Sequence, residues 1–179
     1  LIESLAWVLP RPRRNNKYIG SFPQHFEKKV IRLLGFDEIK DKNKILHPFG
    51  GMAEFGIKVD IKPEVKPDII GDAHNMSFFK DNTFELVILD PPYNEEYSRR
   101  LYQTKKPMFK KYTKEAVRVL KNGGYLVMYH YLATPRIENT VLFKRIFLET
   151  RVWHKLRCIH IHKKDIDAWK NFKKEINSE

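Results

Sequence analysis

The chain has 179 residues, about the length of one domain and enough to bury a sizeable core. Its 34 Lys and Arg against 22 Asp and Glu leave a net charge of +12, so an anionic polymer is the natural partner, nucleic acid first. No run approaches the roughly 18 apolar residues of a membrane span, no apolar leader opens the chain, and the single cysteine, Cys158, excludes an internal disulfide; a cytoplasmic, intracellular protein with no membrane partner is the expectation.

Residues 1–20 combine an apolar patch around Trp7 with Pro10, Pro12 and the cluster Arg11, Arg13, Arg14. Proline spacing opposes a helix, so a basic extended arm is predicted, with residues 21–179 as one further domain; Arg13 and Arg14 are candidates for phosphate contact. Ser21-x-x-Gln24 reads as a capping box with Pro23 in the first turn and Gly35 at the end. Phe22, Phe26, Val30, Leu33 and Leu34 share one face, which predicts a helix packed on a sheet. Lys44–His47 is a short strand entering Pro48-Phe49-Gly50-Gly51, where glycines permit close backbone approach. Ile57–Ile61 is a second strand with Asp60 near its end.

From Gly51 to Asp60 is only 9 positions, and residues 62–67 link on to Asp68-Ile69-Ile70, whereas parallel strands usually need a crossover of a dozen or more residues. Two covering helices are therefore expected to be missing, leaving part of one sheet face bare at this end for the N-terminal segment or a second copy of the chain to cover, and a homodimer is the expectation for the latter. Asp72 and Ala73 follow the third strand. Leu86-Val87-Ile88-Leu89 is an unbroken apolar run, a strand buried on both faces, and it delivers Asp90 to the carboxyl edge of the sheet, where open α/β folds bind ligands. Pro91 and Pro92 have no N–H and a fixed φ, so the Asp90 carboxylate and the Pro91 carbonyl are bare acceptors on a stiff loop. Such acceptors suit a planar amino group, and Tyr93 offers a ring on which an unstacked base could lie.

Helical patterns follow at residues 94–101, carrying Arg99 and Arg100, and at 107–120, preceded by Lys105 and Lys106; these four are candidates for nucleic-acid contact. Gly123-Gly124 is expected to end the second helix before a strand at 125–129. A helix at 138–147, an antiparallel strand pair at 150–154 and 157–162, and a charged helix from Lys163 complete the expected order. Cys158, His160 and His162 alternate onto one strand face, but no fourth ligand is spaced nearby, so no metal site is predicted.

Asp90-Pro91-Pro92-Tyr93 resembles the motif of S-adenosylmethionine-dependent amino methyltransferases acting on nucleic acids, chiefly the DNA adenine and cytosine enzymes. Phe49-Gly50-Gly51, set 39 positions earlier, resembles their cofactor loop, with His47 where the family usually has an acid. Asp72-Ala73 with the residues after it resembles a further segment of the same family. The resemblance spans residues 18–130. It implies a single Rossmann-like α/β methyltransferase domain, mostly parallel with a terminal antiparallel strand, and no separate target-recognition domain. It implies S-adenosylmethionine held by His47, Phe49, Gly50, Gly51, Asp60, Asp72 and Ala73, with Asp90, Pro91 and Tyr93 catalytic. The implied activity is methyl transfer to a base amino group, adenine in DNA preferred; an RNA adenine or guanine amino methyltransferase and a catalytically silent nucleic-acid-binding subunit are the alternatives.

Overall fold

The computed structural model describes residues 2–12, 21–92, 95–99, 107–130, 133–150 and 156–176. In chain order the strands are β1 (Glu3–Leu9), β2 (Ile45–His47), β3 (Ile57–Asp60), β4 (Ile69–Ile70), β5 (Phe84–Leu89), β6 (Leu120–His130), β7 (Thr140–Thr150) and β8 (Arg157–Lys164). The α-helices are α1 (Phe26–Leu33), the single turn α2 (Glu95–Tyr97), α3 (Phe109–Val119) and α4 (Ile166–Ile176). The strands make one sheet in the order β1-β7-β8-β6-β5-β2-β3-β4. Every neighbouring pair is parallel except those of β8, which is antiparallel to both β6 and β7.

The apolar run of β5 explains the two-sided core. Val87 and Leu89 face a cluster with Tyr112, Ala116 and Val119 of α3, while Leu86 and Ile88 face the opposite cluster with Phe26, Val30 and Ile31 of α1. Alternate side chains of a strand point to opposite faces, so only an all-apolar strand suits a sheet covered on both sides. Each fully enclosed Leu, Ile or Phe removed from water contributes roughly 1.5–3 kcal/mol.

Four local expectations change. Residues 3–9 are extended, as expected, but they pair in parallel with residues 144–150 of β7 as an edge strand, with Trp7 and Leu9 buried, so this stretch is part of the sheet and not a free arm. Helix α1 begins at Phe26, not Ser21: His25 at its N-terminus adopts a left-handed φ of 67°, no side chain caps it, and Gln24 Nε2 donates to the Arg11 carbonyl instead. Residues 140–150, expected to open as a helix, are strand β7, because Ile146 and Leu148 bury on alternate positions between β1 and β8. Helix α3 ends at Val119 and β6 starts directly at Leu120; the register shift opposite Phe84–Leu86 absorbs the residues before Tyr125. There Gly124 is obligatory, since a Cβ would come within 2.8 Å of the Glu85 carbonyl.

The β2–β3 and β3–β4 links carry no α-helix; Pro63–Val65 makes one 3-10 turn. Ile57 and Val59 bury on the α3 side, so Lys58 and Asp60 take the other face, and much of what the missing helices leave uncovered is polar. Between residues 57 and 70, Ile61 and Ile70 are the exposed apolar side chains. The strand formed by the N-terminal segment lies at the far edge from β4 and does not cover this corner.

Lys164, at the end of β8, is buried, and its ammonium donates to the carbonyls of Val117 (2.7 Å) and Leu120 (2.5 Å) and to Asn82 Oδ1 (2.9 Å). Burial lowers its pKa, and the contacts pin the α3–β6 junction to β8. Replacing Lys164 by Met keeps the volume but strands two carbonyls; urea denaturation is expected to read a loss of about 2 kcal/mol.

Candidate active site at the carboxyl edge of the sheet

Because β2, β3, β4, β5 and β6 run parallel, the residues that follow them emerge at one edge. Asp60 closes β3, Asp72 lies two residues past β4, and Asp90 follows β5 directly. The topology therefore brings three acids, separated widely in sequence, to one rim.

The loop after β2 is clamped to β3. Gly50 N–H donates to the Val59 carbonyl (2.8 Å), and Gly51 N–H donates to Asp60 Oδ2 (2.9 Å); Asp60 Oδ1 accepts from Lys62 N–H (2.9 Å). Each Asp60 oxygen keeps acceptor capacity for a further donor. Gly51 has φ of 43°, and a Cβ on Gly50 would meet Lys58 Cβ at 2.8 Å. The close approach that demands glycine at position 50 is thus between loop and strand. Gly50→Ala is expected to cost about 1–3 kcal/mol through overpacking, read as a lowered thermal midpoint. Phe49 turns toward α3, with its ring 5.3 Å from Tyr112 and 6.3 Å from His74.

Asp72 is exposed and Ala73 buried. Asp72 Oδ1 accepts from His74 N–H (2.9 Å) and lies 2.6 Å from His74 Nδ1; His74 Nε2 accepts from Met108 N–H (2.9 Å). Since Nε2 is an acceptor, Nδ1 carries the hydrogen and donates to Asp72. Its main-chain and side-chain bonds to His74 hold the Asp72 carboxyl below its usual range despite some burial, and the imidazole links this loop to the start of α3. Glu115 and Arg118 of α3 fix the same loop further on: Glu115 accepts from Met76 N–H (2.7 Å), and Arg118 donates to the carbonyls of Met76 (2.8 Å) and Phe79 (2.9 Å).

Asp90 is half-buried and Pro91 buried. Asp90 lies close enough to Tyr129 of β6 that, after burial itself, its charge is what pushes the phenol pKa up; Arg157 at the start of β8 hydrogen-bonds the same phenol and opposes the rise. Tyr129 is packed edge-on by Phe22 and Phe26 at 5.3 and 4.9 Å. Tyr93, Arg13, Arg14, Arg100, Lys105 and Lys106 lie outside the described residues. Arg99 is exposed and paired with Glu95 one helical turn earlier. Cys158 Sγ is 3.2 Å from His160 Nε2, and His160 Nδ1 is 2.6 Å from Thr134 Oγ1. Among the described residues no group of three or more His, Cys, Asp or Glu could hold a metal.

His47 does not open onto the rim. It is fully enclosed, with neither ring nitrogen hydrogen-bonded, and Nε2 stands 3.5 Å from Glu27 Oε1 of α1. Burial pushes His47 down to about 3 and Glu27 up to about 7, so the neutral forms are favoured. The two act on stability in opposite senses. The Glu27 contribution is present below pH 4.5 and lost as pH rises through about 7; that of His47 is present above 6.5 and lost as pH falls toward 3. Sequence reasoning missed Glu27, His74, Tyr129 and Arg157 at this edge, since each joins it through packing and not through local pattern.

No protein-family model matches the chain, and no curated protein matches its sequence. Its structure is similar to that of the putative methyltransferase yhhF from Escherichia coli, with TM-score 0.55 and 11% identity over 88% of this chain and 92% of that one. More distant are the PH0226 protein from Pyrococcus horikoshii OT3 (TM-score 0.43, 16% identity, 79% and 92% covered) and the aminoglycoside resistance methyltransferase NpmB1 (0.35, 13%, 65% and 68%). No helix among the described residues is long and apolar enough to cross a membrane. With one antiparallel strand, β8, set between β7 and β6 of an otherwise parallel sheet and helices on both faces, the chain has the Rossmann-like α/β fold that it shares with yhhF.

Proposed function

We propose that the protein transfers a methyl group from S-adenosylmethionine to the exocyclic amino group of a nucleobase, adenine in DNA being the preferred substrate. The observation that carries the reading is the half-buried Asp90, followed by buried Pro91, on the same sheet edge as Asp60, Asp72 and the clamped glycine loop. Spare acceptor capacity on Asp60 and the exposed carboxylate of Asp72 fit a ribose and an adenine amino group. Glycines 50 and 51 keep the β2–β3 turn low beside them. S-adenosylmethionine supplies a methyl group on a sulfonium, an electrophile open to in-line displacement.

Asp90 and the Pro91 carbonyl would accept the two N–H bonds of the target amine, turning its lone pair out of conjugation; as the N–C bond forms the S–CH3 bond would break to leave a neutral thioether, the Asp90 charge offsetting the positive charge on nitrogen until one proton is lost by way of Asp90 to solvent. Tyr93 is the proposed stacking surface for the base. The excess of Lys and Arg in the chain supports a nucleic-acid substrate. Transfer of labelled methyl to mixed-sequence DNA and RNA in parallel tests the proposal: label in DNA supports it, label in RNA alone moves the substrate to RNA, and none in either, with donor bound, leaves a silent binding subunit. A covering second copy at the β4 corner is proposed on the missing crossover helices, and a monomeric mass at micromolar concentration would overturn it.

A further inference from the structure

A cleft of about 250 Å³ lies between the start of α1 and the loop that continues from Gly51, lined by Phe22, Gln24, Glu27, Met52, Glu54 and their neighbours. Glu27, at 6% exposure, is its buried charged group. Both carboxylate oxygens accept from Glu54 N–H at 3.1 Å, and Phe55 N–H adds a further bond. A carboxylate offers about four acceptor positions, so these donors do not exhaust it. Among the described residues no lysine or arginine is ion-paired with it, although His25 and Lys28 also line the cleft. The basic side chains of α1 are engaged elsewhere: Lys28 with Glu38 at 2.9 Å, Arg32 with the same carboxylate at 2.8 Å, and Lys29 over the Trp7 ring at 4.4 Å. Behind Glu27, both nitrogens of the enclosed His47 ring lack a hydrogen bond, which is costly for a buried polar group.

We propose that Glu27, supported by His47, receives the primary ammonium group of an amino-acid-type ligand in this cleft; resting on the function proposed above, that ligand is the amino-acid end of the methyl donor. An ammonium is compact, carries three donors, and makes a charge-assisted bond with a carboxylate. Once Glu27 is ionised by its arrival, His47 donates Nε2–H to Oε1, and one stranded ring nitrogen gains a partner. His47 is thus a positioning residue. The other charges felt by the pair are Glu54, which disfavours ionisation of Glu27, and Lys58, which favours it and disfavours protonation of His47. With the Glu27 pKa raised by burial, ligand binding at pH 7 expels a proton from the protein fraction in which Glu27 is protonated, and affinity climbs as pH rises toward 8.

Calorimetric titrations of wild type and Glu27→Gln, at pH 7 in phosphate and in Tris, separate binding from proton release. The ligands are S-adenosylhomocysteine and 5′-methylthioadenosine, which lacks the amino-acid end. The glutamine keeps an oxygen for Glu54 N–H. Expected are proton release by wild type with S-adenosylhomocysteine, its loss in Glu27→Gln with affinity at least about tenfold weaker, and unchanged binding of 5′-methylthioadenosine. Equal affinity of both proteins for S-adenosylhomocysteine, or equal weakening for both ligands, overturns the proposal while leaving the donor reading intact. Wild type binding neither ligand overturns both. His47→Phe should move the pH midpoint of S-adenosylhomocysteine affinity upward; an unmoved midpoint at unchanged thermal stability removes His47 from the mechanism.

Discussion

Asp90→Ala should lower methyl transfer by at least about 10²-fold while donor affinity stays within about twofold of wild type. The split follows from the topology. Asp90 leaves β5, whereas the groups proposed to hold the donor belong to α1, to β2 or to the loops after β2, β3 and β4, so removing one side chain need not disturb the others. The loss should fall on kcat and not on donor affinity, because the Asp90 charge matters most when nitrogen becomes positive. A single-turnover assay with labelled donor on oligonucleotides measures the first quantity and calorimetry the second. Near-normal turnover in the variant would remove Asp90, and with it the amine-orienting role of the loop. Because Asp90 also raises the pKa of Tyr129, the variant should ionise that phenol at lower pH, visible in the near-ultraviolet spectrum on alkaline titration.

His47→Asp restores an acid of the kind that the resembling family carries at this position, yet it should damage the protein. The new carboxyl would lie in a fully enclosed site facing Glu27, whose Oε1 is 3.5 Å from the present ring. Two buried carboxylates at such range cannot both ionise, so at least one stays protonated well above its ordinary range. The sign is then unambiguous. In wild type, His47 adds stability as pH rises from about 3 to 6.5, opposing the decline from Glu27 between 4.5 and about 7. The variant loses the rising contribution and gains a second falling one. Urea denaturation should show a deficit of about 3 kcal/mol or more at pH 8 and a smaller one at pH 5. A variant matching wild type at pH 8 would mean that the site is wetter than its geometry indicates.

The sequence carried the fold class on its own. The run Leu86–Leu89 could only be a strand covered on both sides, and it is; short, turn-rich links after positions 51 and 61 excluded crossover helices there, and none form. The position of Asp90 at a strand end was likewise local information, since a strand that stops at two prolines must end where they begin. Residues 140–147 fit a helix in the sequence because Val141, Leu142, Ile146 and Phe147 suit either a helix face or a strand, and pairing with β8 and with β1, which lies more than 130 positions away, makes them a strand. The capping box at Ser21 failed for a related reason: Gln24 found the carbonyl of Arg11, a partner no local motif announces.

Sequence alone determined a mostly parallel α/β sheet and the delivery of acids to its strand ends, because period, apolar runs and proline act over a few residues. Only tertiary structure decided what those acids touch: that Asp60 clamps Gly51, that His74 ties Asp72 to α3, and that His47 is sealed beneath Glu27. Burial and the partner across the fold set those contacts, and both depend on segments that pattern along the chain does not connect.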